Sequence, residues 1–216
     1  MTDRQKRVLH ALLDGYGRTY AAEAGIRLKD TPQPLYRTLV LATLLSARIR
    51  ASIAVETSRA LYDAGLRDAR RMVQATWQQR VDALGAGGYR RYDERTATRL
   101  GDGARLLLDD CGGDLRRLRE RADGDVGALR TSLGRVPGLG PTGVGIFLRE
   151  VQDVWAEFGT HINGKALQGA ERLGLPKTPA TLTRLAGDVP RAQLAAALVR
   201  AALDRTVAEE CRAQAA

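Results

Sequence analysis

Val136-Pro137-Gly138-Leu139-Gly140 lies between two stretches of helical spacing. Upstream, Val126 to Arg135 reads as a helix; downstream, Thr142 to Trp155 places Val144, Phe147, Leu148, Val151 and Trp155 on one face. Five residues leave room only for a tight hairpin. Glycines at 138 and 140 strip it of Cβ atoms, so its amides can approach a phosphate while the following helix aims its positive end at the same place. An ordinary helix–helix connection also uses Pro and Gly. The apolar-Pro-Gly-apolar-Gly order, followed at once by an amphipathic helix, favours a clamp on a nucleic-acid backbone.

Outward from the hairpin the chain is helical throughout. Thr2-Asp3-Arg4-Gln5 reads as a capping box, followed by Val8, Leu9, Leu12, Leu13 and Tyr16 at helical spacing up to Gly17. After a loop carrying Pro32 and Pro34, Leu35 to Ala47 is apolar on nearly every side, as suits a helix at the centre of an all-α domain. Ile53 to Tyr62, Ala69 to Ala75 and Gln78 to Leu84 follow, the last closed by the glycines at 85, 87 and 88. A longer helix from about Tyr92 to Asp110 stops at Gly112-Gly113, with Leu100, Ala104, Leu107 and Leu108 as its inner stripe. Leu115 to Arg121 precedes the hairpin region. Lys165 to Leu173 and an Ala-rich run from Arg191 to Cys211, opened by Pro190 as a first-turn proline, complete the chain. No stretch keeps a period of two, and no repeat is present.

The balance of charge agrees with a polyanionic partner. Among 216 residues, 34 basic against 25 acidic side chains give a formal charge of +9. Four of the cations are Lys, so 34 − 4 = 30 are Arg, a bias that codon composition alone could also produce. Cys111 and Cys211 stand far apart without a C-x-x-C pair, which leaves neither a zinc site nor an iron–sulfur cluster. The basic N-terminus is followed by no continuous apolar stretch, and runs such as Leu39 to Leu45 are too short for a bilayer. The expectation is a reduced, cytoplasmic protein associated with the nucleoid through DNA, with no membrane contact.

With the hairpin placed, the chain resembles the helix-hairpin-helix (HhH-GPD) DNA glycosylase superfamily, in its endonuclease III-like form without the cluster. Leu44-Leu45-Ser46-Ala47-Arg48 is similar to the family's Leu-Leu-Ser-x-Gln/Arg segment, which implies that Arg48 fills the gap left by a flipped nucleotide, beside Ser46. Gly87-Gly88-Tyr89, followed by Arg95, Ala97 and Leu100, is similar to the Gly-x-Tyr/Phe segment before the family's long helix. The resemblance implies DNA contacts from Val136, Gly138, Leu139, Gly140, Thr142 and Gly143, and pocket positions at Ser46, Tyr89, His161 and Lys165. It also implies a monovalent cation held by hairpin carbonyls and no organic cofactor.

At two chemical positions the chain departs from that pattern. Members that cleave the strand carry a Lys two residues after the second hairpin glycine, where this chain has Thr142; a hydroxyl cannot form the imine. Members that only hydrolyse rely on an Asp after the next helix, whose carboxylate stabilises the sugar cation. The loop here reads Phe158-Gly159-Thr160-His161-Ile162-Asn163-Gly164-Lys165, and the best match to the Asp is Asn163; a shifted register puts Gly159 there instead. Asn163 as a replaced Asp, another acid in its place, and loss of hydrolysis with DNA binding retained are three readings. For the second, Glu150, Asp153 and Glu157 are spaced by three and four, as on one helix face. Tyr16, Tyr20, Tyr36, Tyr89 and Trp155 are candidates to stack on a base, although core packing explains each.

The resulting expectation is an all-α, two-lobed monomer. Residues 35–135 form one lobe; 1–34 with 136–216 form the other, which contains the helix-hairpin-helix at about 126–155. Its partner is double-stranded DNA with a lesion or mismatch, and its reaction is hydrolysis of the N-glycosidic bond after base flipping. The alternative is a non-catalytic, lesion-recognising DNA-binding protein of the same fold.

Overall fold

The computed structural model describes residues 2–215, and all regular structure among them is helical. Two compact units emerge from the contacts: Ala21–Phe158, and the described residues up to Tyr20 together with those from Gly159 onward. The chain opens with α1 (Asp3–Tyr16) and the short α2 (Tyr20–Glu23), and α1 begins where Thr2 and Gln5 cap each other in the expected box. The larger unit continues through α3 (Pro32–Leu45), α4 (Ala51–Asp63), α5 (Ala69–Gln74), α6 (Trp77–Ala86) and α7 (Asp93–Cys111). It ends with α8 (Arg116–Ala122), α9 (Val126–Gly134), α10 (Gly140–Val151) and a 3-10 turn at Ala156–Phe158.

α3 is the axis of this unit. Leu35, Tyr36 and every residue from Thr38 to Leu44 are buried, with α4 and α10 packed against it. Two threonine hydroxyls enter this core, and each donates back to its own helix: Thr38 Oγ1 to the Pro34 carbonyl at 2.8 Å and Thr43 Oγ1 to that of Leu39 at 3.0 Å. Pro32 and Pro34, expected in a loop, instead start α3, where a missing N–H costs no helical bond. α7 covers α5 and α6, and Gly112 stops it at φ +65°, where glycine carries no Cβ penalty.

α5 has only six residues and is secured by a cation from the next helix. Arg80 donates through Nη1 to the carbonyls of Met72 and Ala75 at 3.0 and 2.7 Å, and through Nε to that of Ala97 at 2.9 Å, tying α5 and its C-cap to α6 and α7. Gly101 makes room for the guanidinium, since a Cβ there would meet it at 2.9 Å. Arg80→Met keeps much of the stem and leaves three carbonyls without this donor. A loss of about 2 kcal/mol is expected, read as the midpoint of urea unfolding with an unchanged slope.

The smaller unit assembles α1, α11 (Gly164–Arg172), α12 (Pro179–Ala186), α13 (Arg191–Leu203) and α14 (Arg205–Gln214). α13 is buried along most of its length, and α1, α11 and α14 pack on it. Its alanines let α11 come close enough that Gly169 lies directly over the Leu198 carbonyl.

The structure corrects several expectations. The Ala-rich run is two helices, because Asp204 is extended (φ −123°, ψ 122°) and its carboxylate accepts from Thr206 N–H at 2.9 Å, capping α14. Pro190 is the cap residue before α13 rather than its first turn. α12 was not anticipated; Leu182 is its one buried residue, too little for a periodic signal. The expected lobes, 35–135 against 1–34 with 136–216, also differ from the observed units. α10 lies on α3, and Trp155 Nε1 donates to Asp30 at 2.8 Å, so 21–34 and 136–158 pack with the bundle.

Candidate nucleic-acid interface

The hairpin is built by three backbone bonds. Val136 N–H donates to the Leu133 carbonyl at 3.0 Å as α9 ends, Leu139 N–H to Val136 at 3.1 Å, and Gly143 N–H to Leu139 at 3.0 Å as α10 begins. Val136 and Leu139 are buried and anchor the turn, while Gly138 at φ +90° and Gly140 at φ +54° reverse the chain in the left-handed region. No side chain caps α10 and Pro141 has no N–H, so the Gly140 and Thr142 amides at this helix start have no intrahelical partner. Pro141 and Thr142 are exposed. The surface is therefore a short row of backbone donors at the positive end of an apolar helix, a geometry that favours an anion.

What holds the hairpin also fixes its neighbours. A Cβ on Gly143 would stand 3.6 Å from the Ala42 carbonyl, and one on Gly138 would meet Thr43 Cγ2 at 3.4 Å and Arg99 Cβ and Cδ at 3.2 Å. The turn thus rests on the last turns of α3 and on the stem of Arg99 from α7. Directly beyond α3, Ser46 Oγ donates to the Thr43 carbonyl at 2.7 Å, and Arg48 is exposed with no side-chain hydrogen bond or ion pair among the described residues. Arg48, Arg99 and the hairpin therefore belong to one end of the larger unit. Arg99 escaped the sequence reading; its only signal was its place one turn after Arg95 on α7. Arg135, just before the turn, reaches Asp110 at 3.4 Å, beside Arg121 at 3.0 Å, and the Arg121 hydrogen bond chiefly holds the Asp110 carboxyl below its usual range.

Other expected site residues have different surroundings. Tyr89 is core: its hydroxyl accepts from Thr96 Oγ1 at 3.2 Å, and Gly87 precedes it because a Cβ there would collide with Thr57 Cα at 2.2 Å. Tyr20, Tyr36 and Trp155 are buried, and Tyr16 donates to Glu210 at 2.5 Å, which pushes its phenol up to about 12. α10 ends at Val151, so Glu150, Asp153 and Glu157 do not share a helix face. Glu150 is buried and accepts from Ala21 N–H at 2.9 Å, beside the Arg149 guanidinium at 3.3 Å, and Glu157 pairs with Arg119.

Asn163, His161 and Lys165 belong to the smaller unit. Asn163 is the N-cap of α11, its Oδ1 accepting from Ala166 N–H at 3.1 Å. His161 is partly buried, and Lys165 is exposed and donates to Gln168 Oε1 at 2.9 Å.

The larger unit thus defines an all-helical fold in which two helices are joined by a glycine hairpin and the second of them begins without a side-chain cap. No protein-family model matches the chain, and no curated protein matches it. Among solved structures, a trapped endonuclease III–DNA covalent intermediate in an estranged-adenine complex is similar at 13% identity with a TM-score of 0.49, over 93% of this chain and 86% of that one. No helix among the described residues is long and apolar enough to cross a membrane.

Proposed function

We propose that this chain grips duplex DNA through the 136–140 hairpin and follows the plan of a monofunctional DNA N-glycosylase in which Asn163 occupies the carboxylate position. The observation that carries the reading is the hairpin itself: left-handed Gly138 and Gly140 before an uncapped apolar helix, with exposed Arg48 and the stem of Arg99 at the same end of the unit. A phosphate would receive the Gly140 and Thr142 amides, and Arg99 would add charge beside them. Arg48 would enter the stack as the damaged or mispaired nucleotide leaves it, at a cost of a few kcal/mol that is least for a base already badly paired. Hydrolysis adds water across the bond between C1′ and the base nitrogen, giving a free base and an abasic site. Thr142 supplies no amine, so the strand stays intact.

The cation implied by the resemblance would be held by hairpin carbonyls. Those of Val136 and Leu139 each accept one hydrogen bond and keep a second lone pair for such a role. When bound it would add positive charge beside a DNA phosphate. The alternative of a lesion-recognising binder without catalysis is favoured by Asn163 and Thr142 together, which supply neither the carboxylate nor the amine at the two chemical positions.

DNA binding is tested by salt dependence on a duplex of defined sequence. Arg99→Gln is expected to weaken binding and flatten the slope of log K against log salt by about 0.9, the value of one phosphate contact. An unchanged slope would remove Arg99 from the interface. Gly138→Ala forces a side chain to φ +90° and toward Arg99, and should weaken binding roughly tenfold through strain of about 1–3 kcal/mol. Retained full affinity would overturn the hairpin as the contact.

A further inference from the structure

The smaller unit contains a cavity of about 390 Å³ between the start of α1 and the end of α11, lined by Thr2, Arg4, Gln5, Glu171, Arg172 and Arg212 among others. A second cavity of about 240 Å³ shares Arg172 and Arg212 and adds Arg205 and Glu209. Four guanidinium groups thus meet two carboxylates, and one of these, Glu171, is paired with Lys177, which holds its carboxyl below the usual range. Positive charge is in clear excess.

The arginines are placed to receive a ligand. Arg172 Nη1 donates to the carbonyls of Ala201 and Ala202 at 3.3 and 2.6 Å, so the negative end of α13 fixes its plane while Nε and Nη2 remain uncommitted. Arg212 is steadied through Nε, which donates to the Ala208 carbonyl at 3.1 Å, leaving its terminal nitrogens. Arg4 and Arg205 make no side-chain hydrogen bond or ion pair among the described residues. The polar wall is otherwise satisfied: Gln5 Nε2 donates to the Gly174 carbonyl at 3.2 Å, and its Oε1 accepts from Thr2 N–H at 3.3 Å.

We propose that this cavity binds a phosphate monoester, with Arg4, Arg172 and Arg212 as its ligands. Planar guanidinium forks match phosphate oxygens in pairs, and two of these three are held in place before any ligand arrives. A monoester carries nearly two charges at neutral pH, which suits the excess better than a carboxylate. The volume exceeds one phosphate and falls within the range of small-molecule sites. Glu209 disfavours a polyanion lying across both cavities and leaves room for a terminal phosphate entering one. The source is a free phosphorylated small molecule or the 5′-phosphate of a strand. This site stands apart from the hairpin reading and does not depend on it.

The test titrates the full chain at constant ionic strength with inorganic phosphate, a nucleoside 5′-monophosphate, and one duplex with and without 5′-phosphates, by calorimetry and amide NMR. The expected result is saturable binding of inorganic phosphate, with shift changes confined to residues around Arg4, Arg172 and Arg212. Arg4→Gln, which removes no protein contact, should lower the affinity about tenfold, and Arg70→Gln, exposed in the larger unit, should leave it unchanged. Arg205→Gln provides a second variant and should lower it less. A preference for the mononucleotide identifies a free ligand, and a preference for the phosphorylated duplex end identifies a strand; either supports the site. Absence of localised shifts, or equal affinity in wild type and Arg4→Gln, would overturn it, and weakened duplex binding in Arg99→Gln would then still stand for the hairpin.

Discussion

Asn163→Asp is expected to raise base release about a thousandfold on the cognate lesion. An amide offers the sugar cation a dipole, whereas a carboxylate offers a full charge. At about 4 Å and an effective dielectric near 20, that charge is worth roughly 4 kcal/mol, which corresponds to about three powers of ten in rate. The fold accepts the change: Asn163 Oδ1 already accepts the Ala166 N–H as N-cap of α11, and Asp fills that role as well. Its charge at a helix N-terminus adds about 0.3–1 kcal/mol of stability. The measurement runs both proteins on duplexes carrying oxidised, alkylated, deaminated and mispaired bases, scoring abasic sites by alkali cleavage. Release by the variant alone identifies both the emptied position and the substrate. If neither protein releases a base while both bind a lesion tightly, the hydrolytic reading is lost and recognition without catalysis replaces it. Strand cleavage without alkali is expected from neither.

Gly169→Ala should be the most damaging single methyl in the smaller unit. Within a helix, Gly to Ala normally stabilises by roughly 0.5–1 kcal/mol. At Gly169 the sign reverses, because the added Cβ would stand 1.8 Å from the Leu198 carbonyl oxygen and 3.2 Å from Ala202 N, and both neighbours are backbone of α13. α11 would have to lift from the helix it packs on, a cost of about 3 kcal/mol at the upper end for overpacking. Thermal unfolding should show a midpoint lowered by roughly 6–12 °C for a chain of this size. Gly145→Ala in α10 is the control, since nothing lies within 4 Å of its Cβ, and it should hold or raise the midpoint. Equal midpoints for the two variants would mean that the close approach of α11 to α13 is not what holds the smaller unit together.

The candidate site was legible in part. The hairpin glycines were read as positions without a Cβ that let the turn approach a phosphate; that both have positive φ came from the structure. Arg48 was placed at the end of α3, where it is exposed. Tyr89 lay inside the same resemblance, yet it is core, because the motif reports the sharp turn over Thr57 rather than a pocket. Glu150 illustrates the opposite failure: its spacing suggested a helix face shared with Asp153 and Glu157, and the Ala21 amide and Arg149 instead receive it in the interior.

By itself the sequence determined whatever depends on neighbours within a turn or two: the Thr2 capping box, the all-round apolar α3, the stop of α7 at Gly112 and the Gly138–Gly140 hairpin. These are local choices of backbone angle, and the residues that make them are adjacent in the chain. Only the tertiary structure decided that 136–158 packs with the bundle, that Arg80 reaches the Ala97 carbonyl of α7, that Arg99 lies along the hairpin and that Gly169 sits on Leu198. In each of these the partner is brought from elsewhere in the chain, and a long polar side chain or a missing Cβ carries no mark of which distant backbone it will meet.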